Sequence, residues 1–272
     1  MEQVRGADRD RYLTALYAPE DKRQALLALY AFNAEIAGVR DRIREPMPGE
    51  IRLQWWRDVI KAADPEAGAG HPVAEALVAA IAAHKLPAAA FDNYLEARIF
   101  DLYDDPMPSR TDLEGYCGET ASAVIQLAAL VLDPEEAPGC SELSGHAGCA
   151  QAITGLLRLL PIHRSRSQCF APQDMLASVG IGAQELIAGE GQGATLAVRA
   201  MAALAREHLA AFEKDAVHLP ESLRAAYLPL ALTSSYLDRI EADPAAALRR
   251  TANIGGLRSQ WLVFRKATRG WR

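Results

Sequence analysis

Apolar residues return along most of this chain every three or four positions, the period of a helix with a buried face. In "RQALLALYAFNAEIAGVRD" (23–41), Leu26, Leu29, Tyr30, Asn33, Ala37 and Arg40 or Asp41 fall along one side, and further apolar residues widen it. That width predicts burial on more than one side. Similar segments occupy 50–63, 73–84, 87–103, 111–131, 142–160, 194–215, 221–240 and 257–268. Turn formers separate them at 64–72, 104–110, 133–141 and 188–194. Alternating β-branched runs are essentially missing, so strands have little support. In "SRTDLEGY", Thr111 is placed to cap a helix and Glu114 follows three residues later, as a capping box requires. No fixed solenoid period recurs. The pattern predicts an all-α fold, and one compact helical domain over 1–272 fits better than two.

The chain has 272 residues, half of them hydrophobic and 24% charged, enough apolar material for a sizeable core. A net charge of -6 argues against a nucleic-acid partner, which would call for a basic stripe. No run of about 18 consecutive apolar residues is present, and the start "MEQVRGADRDRYL" lacks the order of a secretory signal, so the expected location is cytoplasmic. Cys117, Cys140, Cys149 and Cys169 form no C-x-x-C pair, and buried free thiols are expected.

Two carboxylates four residues apart on a helix share a face and can hold magnesium ions that bridge to a diphosphate. Residues 37 and 41 have that spacing, but the first is Ala37 and only Asp41 is acidic. If "GLLRLLPIH" continues a helix from about Glu142, residues 159 and 163 form a second such pair, occupied by Leu159 and His163. Leucine offers no ligand atom, and imidazole is a poor partner for a hard cation.

Four blocks in order, "DRYLTALYAPEDKRQALLALYAFNAEIAGVRD", "YLEARIFDLY", "LEGYCGETASAVIQL" and "GHAGCAQAITGLLRLLPIHRSRSQCFAPQDML", resemble the squalene/phytoene synthase family of head-to-head prenyltransferases. The resemblance covers most of the chain and implies an isoprenoid-synthase-like bundle around a central cavity. It also implies magnesium held by two aspartate-rich motifs. On this alignment the leading aspartates of the first motif fall on Ala37 and Gly38, with Asp41 retained, and those of the second on Leu159 and His163. Asp101 and Asp174 agree with acidic positions of the family. Rescue by neighbours is poor: Glu35 and Asp41 are roughly 240° apart on a helix, and Glu96 and Asp101 roughly 140°. The runs "NAEIAGVRD…PGEIRLQWWRDVI" and "TGLLRLLPIHRSR" resemble a degenerate branch that includes a mitochondrial complex I assembly factor, which implies a role in respiratory-chain biogenesis.

Cations gather near the altered motif: Arg158, His163, Arg164 and Arg166. They can bind an anion in place of a metal, or sit at a helix C-terminus and face water. Arg158 is the better pocket candidate, one turn from Thr154 in an apolar helix. His163 is either a general base or a structural histidine, and Asp41 either a pocket acid or an ion-pair partner of nearby arginines. Trp55 and Trp56 point about 100° apart, which predicts one indole in the core and one near its edge. From Pro244 to Arg272 there are seven Lys or Arg and no acid. There Leu257, Trp261, Phe264 and Ala267 or Thr268 share a face flanked by Arg258, Arg265, Lys266 and Arg269. That helix, 257–268, either docks on the body or rests on anionic lipid.

The expected function is that of a degenerate synthase-like binding or assembly factor at the inner-membrane face, with respiratory complex I as the candidate partner. Asp41, Asp101, Tyr116, Arg158 and His163 are the expected polar end of a pocket for an isoprenoid or other apolar ligand. Ala37 and Leu159 are degenerate metal positions, with no catalytic residue and no metal expected. The alternative is an active prenyltransferase, for which magnesium would be the cofactor, and a third reading is a regulator bound to a true synthase.

Overall fold

A computed structural model describes residues 2–62, 64–103 and 105–271; these are mostly helical, with no strand among the described residues. Met1, Ala63, Asp104 and Arg272 lie outside the described residues, and so do the last position of the 50–63 segment, the first of the 104–110 cluster and the last cation of the tail. The side chains of Glu2, Gln3 and Pro65 lie outside them as well.

The chain divides into two compact units. The first comprises Met1–Tyr103, Ala123–Ser141 and Leu219–Leu228, and the second Asp104–Ser122, Glu142–His218 and Pro229–Arg272. In the first unit the Glu20–Ala37 helix buries most of its circumference, Leu26, Leu29, Tyr30 and Phe32 among others, as its wide apolar band predicts. It packs on the Pro72–His84 and Ala123–Leu132 helices. Phe32 anchors an aromatic cluster, edge-on to Trp56 at 5.1 Å and to Phe91 at 5.7 Å, and tilted against Tyr94 at 5.3 Å. The paired indoles divide as expected: Trp56 is fully buried, while Trp55 is 37% exposed.

In the second unit the Gly191–Asp215 helix presents Ala194, Val198, Met201, Ala205, His208 and Phe212 inward. The Thr233–Ala242 and Ala183–Ala188 helices pack against it. Trp271 is buried edge-on to Phe212, with ring centroids 5.2 Å apart. The helical run Arg110–Leu132 contains a π-helical turn at Gly118–Ser122. By length and composition that run could cross a membrane, yet 61% of its apolar window is buried inside the protein, as in a core helix.

A helix cap and a helix span differ from the sequence expectation. Ser109, not Thr111, caps the Arg110–Cys117 helix: its side chain accepts from the Asp112 amide, and the register sits two residues earlier than expected. The predicted 221–240 helix is interrupted, running Arg224–Tyr227, a tight 3-10 stretch at Leu228–Leu232, then Thr233–Ala242. Pro229 accounts for the break, since it has no amide hydrogen and its ring crowds the carbonyl four residues earlier. All four cysteines are free, three of them buried and Cys140 half-buried.

Candidate functional site

The Glu20–Ala37 helix ends before Asp41 is reached. Gly38 is its C-cap, and Asp41 stands solvent-exposed in a separate 3-10 turn, Arg40–Arg42. Ala37 and Asp41 therefore do not share one continuous helical face, which corrects the expected pairing. Leu159 separates the Ser141–Arg158 and Leu160–Ser165 helices. Pro161, close behind it, cannot supply the amide that a continuous helix needs. The one-turn relation nonetheless persists, because the His163 amide donates to the Leu159 carbonyl at 3.0 Å. Leu159 is exposed, and the His163 ring is half-buried with its centroid 4.8 Å from that of Phe170.

Magnesium asks for about six oxygen ligands in near-octahedral order. Ala37, Gly38 and Leu159 bring no side-chain donor, and His163 brings nitrogen. The donor set at these four positions does not fit the ion. Among the described residues, no group of three or more His, Cys, Asp or Glu is arranged to hold a metal.

The remaining candidates are built into local structure. In the first unit, buried Asp101 accepts from Arg98 Nη1 at 2.9 Å, and the Arg98 guanidinium lies 5.2 Å from the Tyr94 ring centroid. The Tyr94 hydroxyl in turn donates to Asn33 Oδ1 at 3.0 Å. In the second unit, the Arg158 guanidinium stacks 3.6 Å above the Tyr236 ring, and its Nε donates to the Ala252 carbonyl at 3.2 Å. Tyr116 is half-buried, and its carbonyl accepts from Thr120 Oγ1 at 2.6 Å. Asp174 accepts the Arg110 backbone amide at 3.1 Å, satisfying a donor at that helix's first turn. Arg164 neither faces an anion nor simply trails into water. Its Nε donates to the Ile187 carbonyl at 2.8 Å, and its Nη atoms donate to the carbonyls of Ala188 and Leu248.

His163 and Phe170 line a cavity with Leu157, Leu160, Ala197 and Met201. Its volume is about 20 Å³, room for roughly one water.

Two polar networks escaped the sequence reading. In the first unit, buried Glu35 faces His71 Nε2 at 3.1 Å, while His71 Nδ1 accepts the Ala74 amide and so caps the Pro72–His84 helix. An accepting Nδ1 places the proton on Nε2, so the imidazole donates to the carboxylate. Trp55 and Trp56 hold the imidazole, with ring centroids at 5.1 and 5.3 Å. In the second unit, Glu114 accepts from Arg110 Nε at 2.8 Å and faces His208 Nε2 at 3.0 Å. His208 Nδ1 lies 3.0 Å from His146 Nδ1. When both rings are neutral, the carboxylate fixes the His208 proton on Nε2, so His146 must donate from Nδ1. A signal for this network was present: His208 lies on the apolar stripe of its helix, where an imidazole needs a partner.

Burial alone would raise the Glu114 pKa, but hydrogen bonds from Arg110 and His208 outweigh it and hold the carboxyl below its ordinary 4.5. A depressed folded-state pKa contributes stability that is present above pH 4.5 and lost as the pH falls through the folded value. Urea midpoints of the native chain should therefore drop as the pH is lowered from 4.5, and Glu114→Gln should flatten that acid limb. Parallel acid limbs in the two proteins would contradict this.

A family model for squalene/phytoene synthase matches residues 4–258. Complex I assembly factor 6 of Rattus norvegicus is 28% identical over 242 residues, which is 89% of this chain and 72% of that protein. The Homo sapiens counterpart is 29% identical over 187 residues, 69% of this chain and 56% of the relative. Presqualene diphosphate synthase of Rhodopseudomonas palustris is 28% identical over 175 residues, 64% and 62% of the two chains. The chain thus spans between 56% and 72% of the length of these relatives. Among solved structures, a ligand-bound dehydrosqualene synthase superposes with a TM-score of 0.81 at 17% identity, covering 97% of this chain and 93% of its own. The squalene synthase HpnC from Alicyclobacillus acidocaldarius gives 0.73 at 20% identity, covering 89% and 91%. These likenesses show the all-α isoprenoid synthase fold expected from the sequence.

Proposed function

Because the chain belongs to the squalene/phytoene synthase family, its departures at the metal positions bear directly on activity, and we propose that it is a binding or assembly protein on a synthase fold. Its proposed work is the biogenesis of respiratory complex I at a membrane face, without the joining of two prenyl diphosphates. The observation that carries this reading is the donor set. On the alignment read from the sequence, Ala37, Gly38, Leu159 and His163 fall where the family's metal-binding aspartates would stand, and Asp41 belongs to a separate 3-10 turn. The similarity to complex I assembly factor 6 across 89% of the chain supports the same reading and is the ground for proposing complex I as the partner. Arg158 and Asp101, engaged with Tyr236 and Arg98, then serve as structural ties.

Similarity to a presqualene diphosphate synthase favours the rival, an active prenyltransferase with metal ligands from other positions. Removing the chain from its host separates the two. The proposal expects NADH:quinone oxidoreductase activity in membranes to fall while squalene-type and phytoene-type lipids persist. Loss of such a lipid with complex I activity intact would overturn it.

A further inference from the structure

The last helix, Gly256–Arg269, turns its most apolar side chains outward. Leu257 is 85% exposed, Trp261 60% and Phe264 48%, whereas Ser259 and Val263 are its buried residues. At 100° per residue, the three outward side chains fall within roughly 60° of one another, and Ser259 and Val263 lie roughly opposite. Docking on the body therefore uses one side of the helix and leaves the aromatic stripe free, so the two sequence readings of this segment are not exclusive. The helix is held in place: Trp271, just beyond it, is buried against Phe212, and Lys266 Nζ lies 5.4 Å from the Trp271 ring centroid.

Charge identifies what the stripe meets. Arg258, Arg265 and Arg269 are exposed along one border of it, roughly 80–120° around the helix. The helix itself carries Arg258, Arg265, Lys266 and Arg269 and no acid, in a chain whose net charge is -6, so the charge along this stripe is of one sign. Aromatic and aliphatic side chains at one-turn spacing, rimmed by arginines on a helix fixed at the surface, match an interface between acyl chains and anionic headgroups. We propose that this face docks the protein on an anionic phospholipid bilayer, with Leu257, Trp261 and Phe264 entering the headgroup boundary and the arginines engaging lipid phosphates. A second exposed stripe, Met47, Ile51 and Trp55 in the first unit, has the acids Glu50 and Asp58 on its helix among Arg52, Arg57 and Lys61, and Arg57 is already paired with Asp92 and Glu96. Its mixed charge selects no such surface, and it serves as the control.

The test is cosedimentation of the full chain with phosphatidylcholine vesicles, with and without phosphatidylglycerol. The native chain should bind the anionic vesicles more tightly than the neutral ones, and added salt should weaken that binding. Combined Leu257→Ser, Trp261→Ser and Phe264→Ser should cut partitioning on the order of tenfold or more. Arg265→Glu with Arg269→Glu should do likewise. Met47→Ser with Ile51→Ser should leave it unchanged. All substituted positions are exposed, and unchanged thermal midpoints would confirm an intact fold. Equal binding to neutral vesicles, native-like binding by the triple variant, or loss confined to the Met47 and Ile51 variant would overturn the proposal. So would concentration-dependent self-association abolished by the triple variant, which would assign the face to a second copy of the chain.

Discussion

Gly148→Ala is expected to destabilise the protein by about 3 kcal/mol or more, at the upper end of what overpacking costs. A Cβ at this position would lie 2.1 Å from Ser122 Oγ, 2.3 Å from Ser122 N and 2.5 Å from Ser122 Cα. The hydroxyl can rotate away, but the two backbone atoms cannot. They belong to the π-helical turn Gly118–Ser122, and Ser122 Oγ also donates to the Gly145 carbonyl at 3.1 Å. Room for one methyl group therefore requires either the Ser141–Arg158 helix to move away or the turn to rewind. Gly145 is on the same helix with nothing within 4 Å of its would-be Cβ. Gly145→Ala should be neutral or stabilise by about 0.5–1 kcal/mol, because it removes only the glycine entropy penalty. Urea unfolding of the two variants checks the contrast, and equal midpoints would contradict this packing.

Arg164→Leu is the second large effect, expected to cost about 2–4 kcal/mol by leaving carbonyl oxygens without their donor. Those oxygens belong to Ile187, Ala188 and Leu248, so one guanidinium ties the end of the Ala183–Ala188 helix to a later stretch of the chain. Gly189 completes the arrangement. Its φ of 66° is in the left-handed region, and a Cβ there would meet the Arg164 guanidinium at 1.9 Å. Gly189→Ala should destabilise by about 1–3 kcal/mol. The double variant should lose less than the sum of the singles, since deleting the guanidinium removes the clash. Strict additivity in thermal or urea midpoints would show that the two residues do not act together.

Apolar periodicity located most of the helices because burial repeats at the helical period, and the segments at 73–84, 194–215 and 257–268 are found as Pro72–His84, Gly191–Asp215 and Gly256–Arg269. The Trp55 and Trp56 pair was legible for the same reason. Breaks were harder to read. Pro161 and Pro229 each sit in an apolar run whose period continues past the proline, so pattern alone carries the helix through a point where the backbone lacks a donor. At Gly38 the helix stops before Asp41, and the assumed face of residues 37 and 41 dissolves with it. Glu114 looked like half of a capping box. Its partners are Arg110, one turn away, and His208, 94 residues away. Arg164 illustrates the general obstacle. Its position near a helix end was evident, but the three carbonyls it satisfies come from chain folded back over 23 to 84 residues. Contacts of that kind are set by tertiary packing and leave no local spacing to detect.

The most direct measurement is calorimetric titration of the full chain with a non-hydrolysable farnesyl diphosphate analogue, with and without magnesium. On the proposed reading, in which carbon and nitrogen stand where the family's oxygen ligands would, any uptake should have the same affinity in both buffers. Binding that magnesium tightens by more than about tenfold, or about 1.4 kcal/mol, would mean that a divalent-cation site for diphosphate survives in the chain, and would contradict the account.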